Sequence, residues 1–317
     1  MVDLTQFHQS TLEACDRAFE KHGNAELPRP YLGASSIGDP CSKKLWLRFR
    51  WVREIFDAQT LKRFRDGHIT EATVIAQLKL NPDIKFYSGD GDQQIGFTDI
   101  DGHFSGHLDG EIEGLKESSV RHVAEIKATS DKKFNELKKH KLELGEKLAL
   151  RKWNEIYYAQ IVLYMFYRKL KRAMHVVATA GARDWVSVRT NEDNTLAKSL
   201  IEKARRIIYS PDAPTGLPRD SSNCKYCGLF DVCQNKKLPE RNCRTCIHSS
   251  PLPTGNAEWS CARTGGKLTY DQQLSGCTAH LFIPSFVNGS VVDTNGDENT
   301  IAYKMKDGRE WTDGQHV

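Results

Sequence analysis

The chain has 317 residues, of which 39% are hydrophobic and 27% are charged. These values describe a globular protein with a sizeable core, enough for one large domain or two moderate ones. The net charge of +4 permits nucleic-acid binding without requiring it. No apolar run is long enough to span a membrane, and the first ten residues contain no signal-peptide core, so we expect a cytoplasmic protein.

The first predicted element is a helix over residues 3–22, where Cys15 falls on the apolar face and is expected to be a buried core thiol. A basic, aromatic-rich helix begins near Ser42, and another helix covers residues 58–80. In the helix over residues 58–80, five residues recur at helical spacing and form one stripe: Phe64, His68, Glu71, Ile75 and Leu78. His68 and Glu71 are unusual on an inward face, so they are site candidates. A helix edge in contact with water is the alternative.

The pattern then changes to strands, with runs at residues 84–87, 93–98, 103–113 and 120–128. A lysine-rich segment at 131–149 is either helical or mobile. Further predicted elements are a helix at 153–171, strands at 173–179 and 184–189, and a helix at 193–209. This order predicts an α/β fold in which helices pack against a sheet.

Two carboxylates and a lysine in the strand region have the chemistry of a metal-dependent phosphodiesterase. Alternation in the run HVAEIKAT puts Glu125 and Lys127 on one face of a strand, and a neighbouring strand can bring Asp109 close. Together with Glu71, these carboxylates suit a hard divalent cation that polarises a phosphate and activates a water. Lys127 would orient that water or offset charge in the transition state. Strands with outward-facing charges give a similar pattern, so spacing alone leaves both interpretations open.

Gln160 and Tyr164 form an i,i+4 pair on the aliphatic helix EIYYAQIVLYMFYRK. Such a pair either lies at the edge of the core with satisfied hydrogen bonds or binds a polar group in a cleft. Taken alone, the pair favours the core-edge interpretation.

Four motifs between residues 67 and 164 resemble, in order, those of the PD-(D/E)XK nuclease superfamily. They are Gly67-x3-Glu71, Gly106-His107-Leu108-Asp109, Glu125-Ile126-Lys127 and Gln160-x3-Tyr164. The set is most similar to the RecB-type and lambda-exonuclease-like branch, which includes bacteriophage members. The resemblance implies a mixed central sheet flanked by helices, dependence on Mg²⁺ or Mn²⁺, and cleavage of DNA.

The same resemblance implies a role for each matched residue. The catalytic positions are Glu71, Asp109, Glu125 and Lys127, and those that support the site are Gln160 and Tyr164. The carbonyl of Ile126 is a further implied metal ligand. Many members have His where this chain has Glu71, so either His68 or Glu71 can bind the metal, and the register favours Glu71.

Seven of the nine cysteines lie between residues 224 and 277. In a reducing compartment such clustering indicates metal ligands rather than disulfides. The run Cys224-x2-Cys227-x5-Cys233 supplies three thiolates, and Cys41 is a plausible fourth. The segment Asp39–Trp46 resembles the N-terminal cysteine segment of iron–sulfur members of the branch. That resemblance implies a 4Fe–4S cluster at these four cysteines, although the spacing equally suits zinc.

A second set, Cys243-x2-Cys246-x14-Cys261-x15-Cys277, has the spacing of a structural zinc site. A small module with few large apolar side chains needs such a metal for stability. His248 or His280 can substitute for one cysteine. Free thiols in a loop-rich tail are the alternative.

Basic residues near the predicted second helix are candidate nucleic-acid contacts. They are Lys43, Lys44, Arg48, Arg50 and Arg53, together with Trp46 and Trp51 for base stacking. A solvated helix face with two core tryptophans fits equally well. Ser35, in a turn before a helix, is a candidate phosphate contact. A second basic run covers residues 132–152.

The predicted function is that of a metal-dependent DNA exonuclease, active at DNA ends in recombination or replication alongside proteins of those processes. Alternatives are an endonuclease or CRISPR-adaptation-type nuclease of the same branch, or a DNA-binding accessory subunit. The predicted divisions of the chain are an N-terminal helical region (1–57), a nuclease core (58–210), a metal-cluster segment (211–238) and a four-cysteine module with a tail (239–317).

Overall fold

The computed structural model describes residues 10–90 and 93–314. Its α-helices are α1 (Ser10–Gly23), α2 (Ser42–Phe49), α3 (Ala58–Lys79), α4 (Asp131–Leu144), α5 (Glu146–Trp153), α6 (Glu155–Arg168), α7 (Asn194–Tyr209), α8 (Ser222–Lys225), α9 (Phe230–Cys233) and α10 (Tyr270–Ser275). Short 3-10 turns cover Ala34–Ser36, Ala180–Ala182, Cys243–Thr245 and Pro284–Phe286.

The strands of the same residues fall into one central sheet and several small ones. They are β1 (Leu32–Gly33), β2 (Lys85–Tyr87), β3 (Gly89–Asp90), β4 (Gln93–Gln94), β5 (Gly96–Asp99), β6 (Phe104–His107), β7 (Gly110–Glu113), β8 (His122–Thr129), β9 (Arg172–Thr179), β10 (Trp185–Asn191), β11 (Ser249–Pro251), β12 (Trp259–Cys261), β13 (Gly266–Leu268), β14 (Gly289–Asn295), β15 (Thr300–Met305) and β16 (Glu310–Asp313).

The central sheet has five strands in the order β10-β9-β8-β7-β2. β8 and β9 run parallel, and all the other neighbours are antiparallel. A parallel pair needs a long crossover, and here α4, α5 and α6 supply it between β8 and β9. The predicted α/β fold with a mixed central sheet is confirmed.

Helices cover both faces of this sheet. Val74 of α3 packs with Ile126 and Val176 on one face. On the other face, Val123 and Val177 join the main core formed with α6. Because side chains of a strand alternate between faces, Glu125 and Lys127 point with Val123 toward the α6 side.

The two helices nearest the carboxylates begin at well-formed caps. The Asp57 carboxylate accepts a hydrogen bond from the Thr60 amide at the start of α3. The Asn154 side chain accepts from the Ile156 and Tyr157 amides at the start of α6. Each cap contributes on the order of 1 kcal/mol and fixes where the helix begins.

The run predicted as one strand at 103–113 is two strands in different sheets, so that prediction was wrong. β6 pairs with β1 and β5, whereas β7 belongs to the central sheet. The chain changes sheets at Leu108 and Asp109, where side-chain alternation alone gives no sign of a break. The segment at 131–149 is helical and is interrupted at Gly145, whose φ is +74°.

Cys15 is exposed on α1, which contradicts its predicted place in the core. α1 contains no buried residue and contacts α3 along one edge, where Phe19 is half-buried. The predicted helix began at residue 3, and residues 3–9 lie outside the described residues.

The N- and C-terminal segments pack against the same main core. Trp46 and Phe49 of α2 lie there with Trp259, Ile283 and Phe286 from the cysteine-rich end. Two small sheets, β11-β12-β13 and β14-β15-β16, complete that end. The predicted domain boundaries stay predictions. In the part of the chain that is described, no helix is long and apolar enough to cross a membrane.

Candidate functional site

The carboxylate site lies where β7 separates from β8. The ladder between these strands covers His122 to Ala124 of β8 and then stops. Beyond it, the Ile126 amide donates a hydrogen bond of 2.6 Å to Oδ2 of Asp109. The amide and carbonyl of one strand residue point to the same side, so the Ile126 carbonyl faces this gap too. The break in the predicted 103–113 strand is therefore what brings Asp109 to β8.

The Lys127 ammonium lies among the oxygens that the resemblance marks as metal ligands. Its Nζ donates to Oε1 of Glu125 at 2.6 Å and to the Ile126 carbonyl at 2.9 Å. It also forms an ion pair of 3.8 Å with Oδ2 of Asp109. A cation is thus held by carboxylate and carbonyl oxygens, the ligand types that Mg²⁺ prefers.

The site has more carboxyl groups than its single ammonium can balance. Burial, followed by the charge of Asp109, raises the pKa of Glu71 to about 7 although Lys127 opposes the shift. Burial raises the pKa of Glu125 to about 8, again against the effect of Lys127. Burial alone lowers the pKa of Lys127, but the charges of Glu125 and Asp109 outweigh it and raise that pKa. A divalent cation would let these carboxyls ionise at neutral pH, so the donor set fits one.

α6 is tied to the carboxylates through two buried polar side chains. Gln160 Nε2 donates to Oε1 of Glu125 at 2.7 Å and to the Tyr164 hydroxyl at 3.0 Å. The Tyr164 hydroxyl donates to the His107 carbonyl at 2.7 Å. A Cβ on Gly106 would lie 2.8 Å from the Tyr164 ring, so this position of β6 needs glycine. The structure therefore brings Asp109, Glu125, Lys127, Gln160 and Tyr164 together with Glu71.

A cleft of about 670 Å³ opens beside Glu71 and Lys127. His68 lines it one turn before Glu71 and is exposed, whereas Glu71 is half-buried and close enough to Asp109 for that charge to raise the pKa of Glu71. The cleft is also lined by residues that the sequence analysis did not single out: Phe19, Arg29, Arg63, Arg65 and Tyr157. They come from α1, α3, α6 and a loop, and tertiary packing rather than a motif brings them together.

His175 is a second feature that the sequence analysis missed. It is fully buried in β9, opposite Glu125 in the parallel ladder. Burial, helped by the charge of Lys127, lowers the pKa of His175 to about 3, so its ring is neutral. The signal in the sequence is a single polar residue inside the apolar strand RAMHVVAT.

Cys41, Cys224, Cys227 and Cys233 all line one cavity of about 150 Å³. Asp39 fixes the approach to Cys41, because its carboxylate accepts from the Cys41 amide at 2.9 Å and from Lys44 at 2.8 Å. Lys203 of α7 holds the Asp39 carbonyl at 2.6 Å. A cavity of only ~10–15 Å³ is enough for one water molecule. A metal ion is of similar size, so this cavity is far larger than a single ion requires.

Three of the five basic residues predicted to contact nucleic acid, Lys43, Lys44 and Arg48, lie around this thiol cavity. Burial raises the pKa of Cys227 and Cys233, and the charges of Lys44 and Lys43, respectively, oppose those shifts. Arg48 also lies near Cys227 and is paired with Glu54.

Arg50 is buried and donates to the Arg244 and Ser210 carbonyls, so its predicted contact with nucleic acid was wrong. Arg53 is exposed and donates to the Asn24 carbonyl.

The tryptophans of this region do not offer a stacking surface. Trp46 and Trp51 are buried, with 0% and 4% of their surface exposed, which confirms the core-tryptophan alternative. Ser35 is exposed in the turn Ala34–Ser36. Its phosphate contact, like those of Lys43, Lys44 and Arg48, stays a prediction.

The second thiol set is also gathered in space. Burial raises the pKa of Cys243 to about 12, and the other three thiols (Cys246, Cys277 and Cys261) shift it in the same direction. Nε2 of His248 lies 2.8 Å from the Asn299 side chain, and Nε2 of His280 lies 3.0 Å from the Thr245 hydroxyl. The four cysteines therefore lie near one another, and each histidine has a polar contact elsewhere.

Across residues 10–90 and 93–314, no group of three or more His, Cys, Asp or Glu side chains is arranged to hold a metal ion as it stands. The metals assigned to these residues are therefore proposals that rest on the chemistry of the donors.

Solved structures that are similar to this chain at low identity include the following three. That of SSO0001 has 16% identity and a TM-score of 0.40, covering 71% of this chain and 96% of its own. The alkaline exonuclease LHK-Exo from Laribacter hongkongensis has 12% identity and a TM-score of 0.40, covering 62% of this chain and 90% of its own. A phage-related exonuclease from Haemophilus somnus 129PT has 12% identity and a TM-score of 0.33, covering 46% and 69%.

No protein-family model and no curated protein matches the chain. At TM-scores of 0.40 and below, the structural likeness carries no argument about function.

Proposed function

We propose that this chain is a divalent-metal-dependent deoxyribonuclease that degrades DNA from its ends. The observation that carries the proposal is the position of the Lys127 ammonium, enclosed by Glu125, Asp109 and the Ile126 carbonyl beside an open cleft. Phosphodiester hydrolysis needs a cation near the phosphate and a positioned water, and these groups supply the ligands for both tasks.

Mg²⁺ or Mn²⁺ would be held by Glu71, Asp109, Glu125 and the Ile126 carbonyl. When bound, the ion polarises a phosphate oxygen and lowers the pKa of a coordinated water. Glu71 is preferred to His68 as a ligand because Glu71 lies close to Asp109 and is half-buried, whereas His68 is exposed.

With the metal bound, Lys127 would interact with the reacting phosphate or with the attacking water. Once its ammonium no longer has to balance Glu125 and Asp109, Nζ can donate to the attacking water or to a phosphate oxygen. A group of this kind contributes about 10²- to 10³-fold in rate. Gln160 and Tyr164 keep Glu125 in place by the hydrogen bonds that link α6 to β8 and β6.

The cleft supplies a surface for the DNA backbone. Arg29, Arg63 and Arg65 line it, and arginines bind phosphate oxygens by charge and by paired hydrogen bonds. DNA is therefore the proposed partner of this face.

The thiol cavity supports a cluster rather than a single ion. Cys41, Cys224, Cys227 and Cys233 would hold a 4Fe–4S cluster, since four thiolates around a cavity of about 150 Å³ suit a polynuclear group. Gln234 Nε2 lies 3.2 Å from the Cys224 sulfur and can donate a hydrogen bond to it. We assign the cluster a structural role, because hydrolysis transfers no electron.

The second set, Cys243, Cys246, Cys261 and Cys277, would hold structural zinc. Metal analysis of anaerobically purified protein tests both assignments. We expect about four iron atoms and one zinc ion per chain. A protein with two zinc ions and no iron would contradict the cluster.

The activity is tested with end-labelled linear DNA and closed circular DNA, incubated with Mg²⁺, with Mn²⁺ and with a chelator. We expect loss of the linear DNA alone, and only when metal is present. Nicking of circles would instead indicate an endonuclease of the same branch. Asp109→Ala should abolish cleavage, whereas Asp131→Ala, at an exposed position on α4, should not. No cleavage with any divalent metal would contradict the proposal and favour a DNA-binding accessory subunit.

A further inference from the structure

His175 lies directly beside Glu125 in the central sheet. β8 and β9 are parallel, and their register pairs Glu125 with His175. On the other side of β9, His175 is paired with Val188 of β10. Paired residues of neighbouring strands point to the same face, so the imidazole and the carboxyl group are neighbours on the α6 side.

Apolar groups surround the imidazole elsewhere. The next residues of β9 on the same face are Ala173 and Val177, both in the main core. The ring centroids of Trp153 and Tyr157 lie 6.4 and 5.8 Å from that of His175. An apolar side chain would pack in this environment without the cost of burying a polar ring. A histidine is therefore expected here only if its ring makes a polar interaction.

Three buried polar groups at this point have unmet hydrogen-bonding capacity. Within the described residues, neither ring nitrogen of His175 has a hydrogen-bond partner, and the same holds for Oε2 of Glu125 and Oε1 of Gln160. A neutral imidazole always has one N–H donor, and a buried donor without an acceptor costs about 1–3 kcal/mol. The donor that lacks an acceptor therefore lies beside a carboxyl oxygen that lacks a donor.

We propose that His175 is a positioning residue for Glu125. When Glu125 is ionised, the imidazole N–H donates to its Oε2, directly or through one buried water. This bond orients the carboxylate toward Asp109 and the cation, as outer hydrogen bonds commonly do for metal ligands. The inference rests on the proposed function, because it assigns the ionised Glu125 to a divalent cation.

The test is Mn²⁺ binding measured by titration calorimetry in the absence of DNA. His175→Phe removes the donor but keeps a flat ring, and we expect it to weaken binding by about tenfold. His175→Gln keeps an N–H donor and should bind Mn²⁺ nearly as well as the wild type. His122→Gln is the matched control, since His122 is also fully buried on β8 but lies on the opposite face from Glu125.

Equal affinity of the wild type and His175→Phe would overturn the inference and leave the proposed function intact. If His175→Gln binds as weakly as His175→Phe, the donor role is wrong. A wild-type protein that binds no Mn²⁺ would overturn the proposed function itself. If His175→Phe fails to fold, ¹⁵N-histidine spectra of the wild type decide. A His175 ring N–H that shifts on adding Mg²⁺ supports the inference, and an unchanged one overturns it.

Discussion

The carboxylate site and the thiol cavity lie on either side of the first turn of α6. Ile156 lines the thiol cavity, and the next residue, Tyr157, lines the cleft. Their charges differ. Glu71, Asp109 and Glu125 exceed what Lys127 balances. Near the thiols, Lys44 is paired with Asp39 and Arg48 with Glu54, and Lys43 adds a positive charge beside Cys233. The first arrangement suits a hard cation, and the second suits an anionic cluster of iron, sulfide and thiolates.

The two sites also share one packing contact. Gly38, just before Asp39 and Cys41, lies so close to α6 that a Cβ there would be 2.7 Å from the Ile156 Cα. The loop that delivers Cys41 therefore fixes the helix that carries Gln160. This contact gives the proposed cluster a physical connection to the proposed catalytic carboxylates, so the effect of each must be separated by its own variant.

The largest effect is expected from Cys41→Ser. A structural metal contributes on the order of 10 kcal/mol to the folding of a small domain, so losing the cluster should lower the melting temperature strongly. Iron analysis and circular dichroism measure both effects. Cys15→Ser is the matched control: Cys15 is exposed on α1, and its loss should change stability by less than ~0.5 kcal/mol. Full iron content in Cys41→Ser would remove Cys41 from the cluster.

Lys127→Ala should act on chemistry alone. We expect cleavage to fall by about 10²- to 10³-fold, with iron and zinc content unchanged. Lys116→Ala, at an exposed position after β7 where the side chain pairs with Asp83, should cleave at the wild-type rate. Rates under single-turnover conditions measure the loss. A Lys127→Ala protein with normal cleavage would refute the assignment of the site.

Stabilisation by Mg²⁺ should depend on pH. In the folded protein without metal, Glu71 and Glu125 keep their protons up to about pH 7 and 8, respectively. In the unfolded chain they lose them near pH ~4.3. These carboxyls therefore make folding less favourable as pH rises through that window, and Mg²⁺ reverses the effect by binding the ionised form. We expect a larger Mg²⁺-induced rise in melting temperature at pH 8.5 than at pH 6. Equal shifts at both pH values would contradict these pKa assignments.

The smallest effect is expected from Gly67→Ala in α3. A Cβ at this position meets no atom within 4 Å, and alanine is the better helix former, so stability should rise by about 0.5–1 kcal/mol. The added methyl group projects into the cleft and should reduce DNA cleavage modestly. Gly145→Ala is the contrast, because its φ of +74° makes alanine unfavourable despite equal space. A Gly67→Ala protein that cleaves faster would show that DNA does not use this part of the cleft.

The sequence predicts much of the carboxylate site, partly from side-chain periods and partly from the resemblance of its motifs. Alternation placed Glu125 and Lys127 on one face. The resemblance, rather than helical spacing, put Gln160 and Tyr164 in the site. The sequence could not show that the chain changes sheets at Asp109, because that change depends on which strands pair. The exposure of Cys15 was missed for a related reason. An apolar stripe predicts which face of a helix is hydrophobic, but not how much of that face is covered by other elements.

The cleft and the place of His175 beside Glu125 could not be predicted from the sequence. Arg29, Arg63 and Arg65 share no motif, and they meet because α1 and the loop after it lie against α3. His175 is set beside Glu125 by the register of a parallel pair whose strands are separated by three helices. The sequence shows the polar residue but not its neighbour.

The most direct test of the account uses anaerobically purified protein of known iron and zinc content, freed of other divalent metal by a chelating resin. Cleavage of end-labelled linear DNA is then measured before and after Mg²⁺ or Mn²⁺ is added. If the carboxylates are catalytic and the thiol metals structural, the loaded protein will be inactive until the divalent ion is added. Cleavage without added ion, or no cleavage with either ion, would contradict that division of roles.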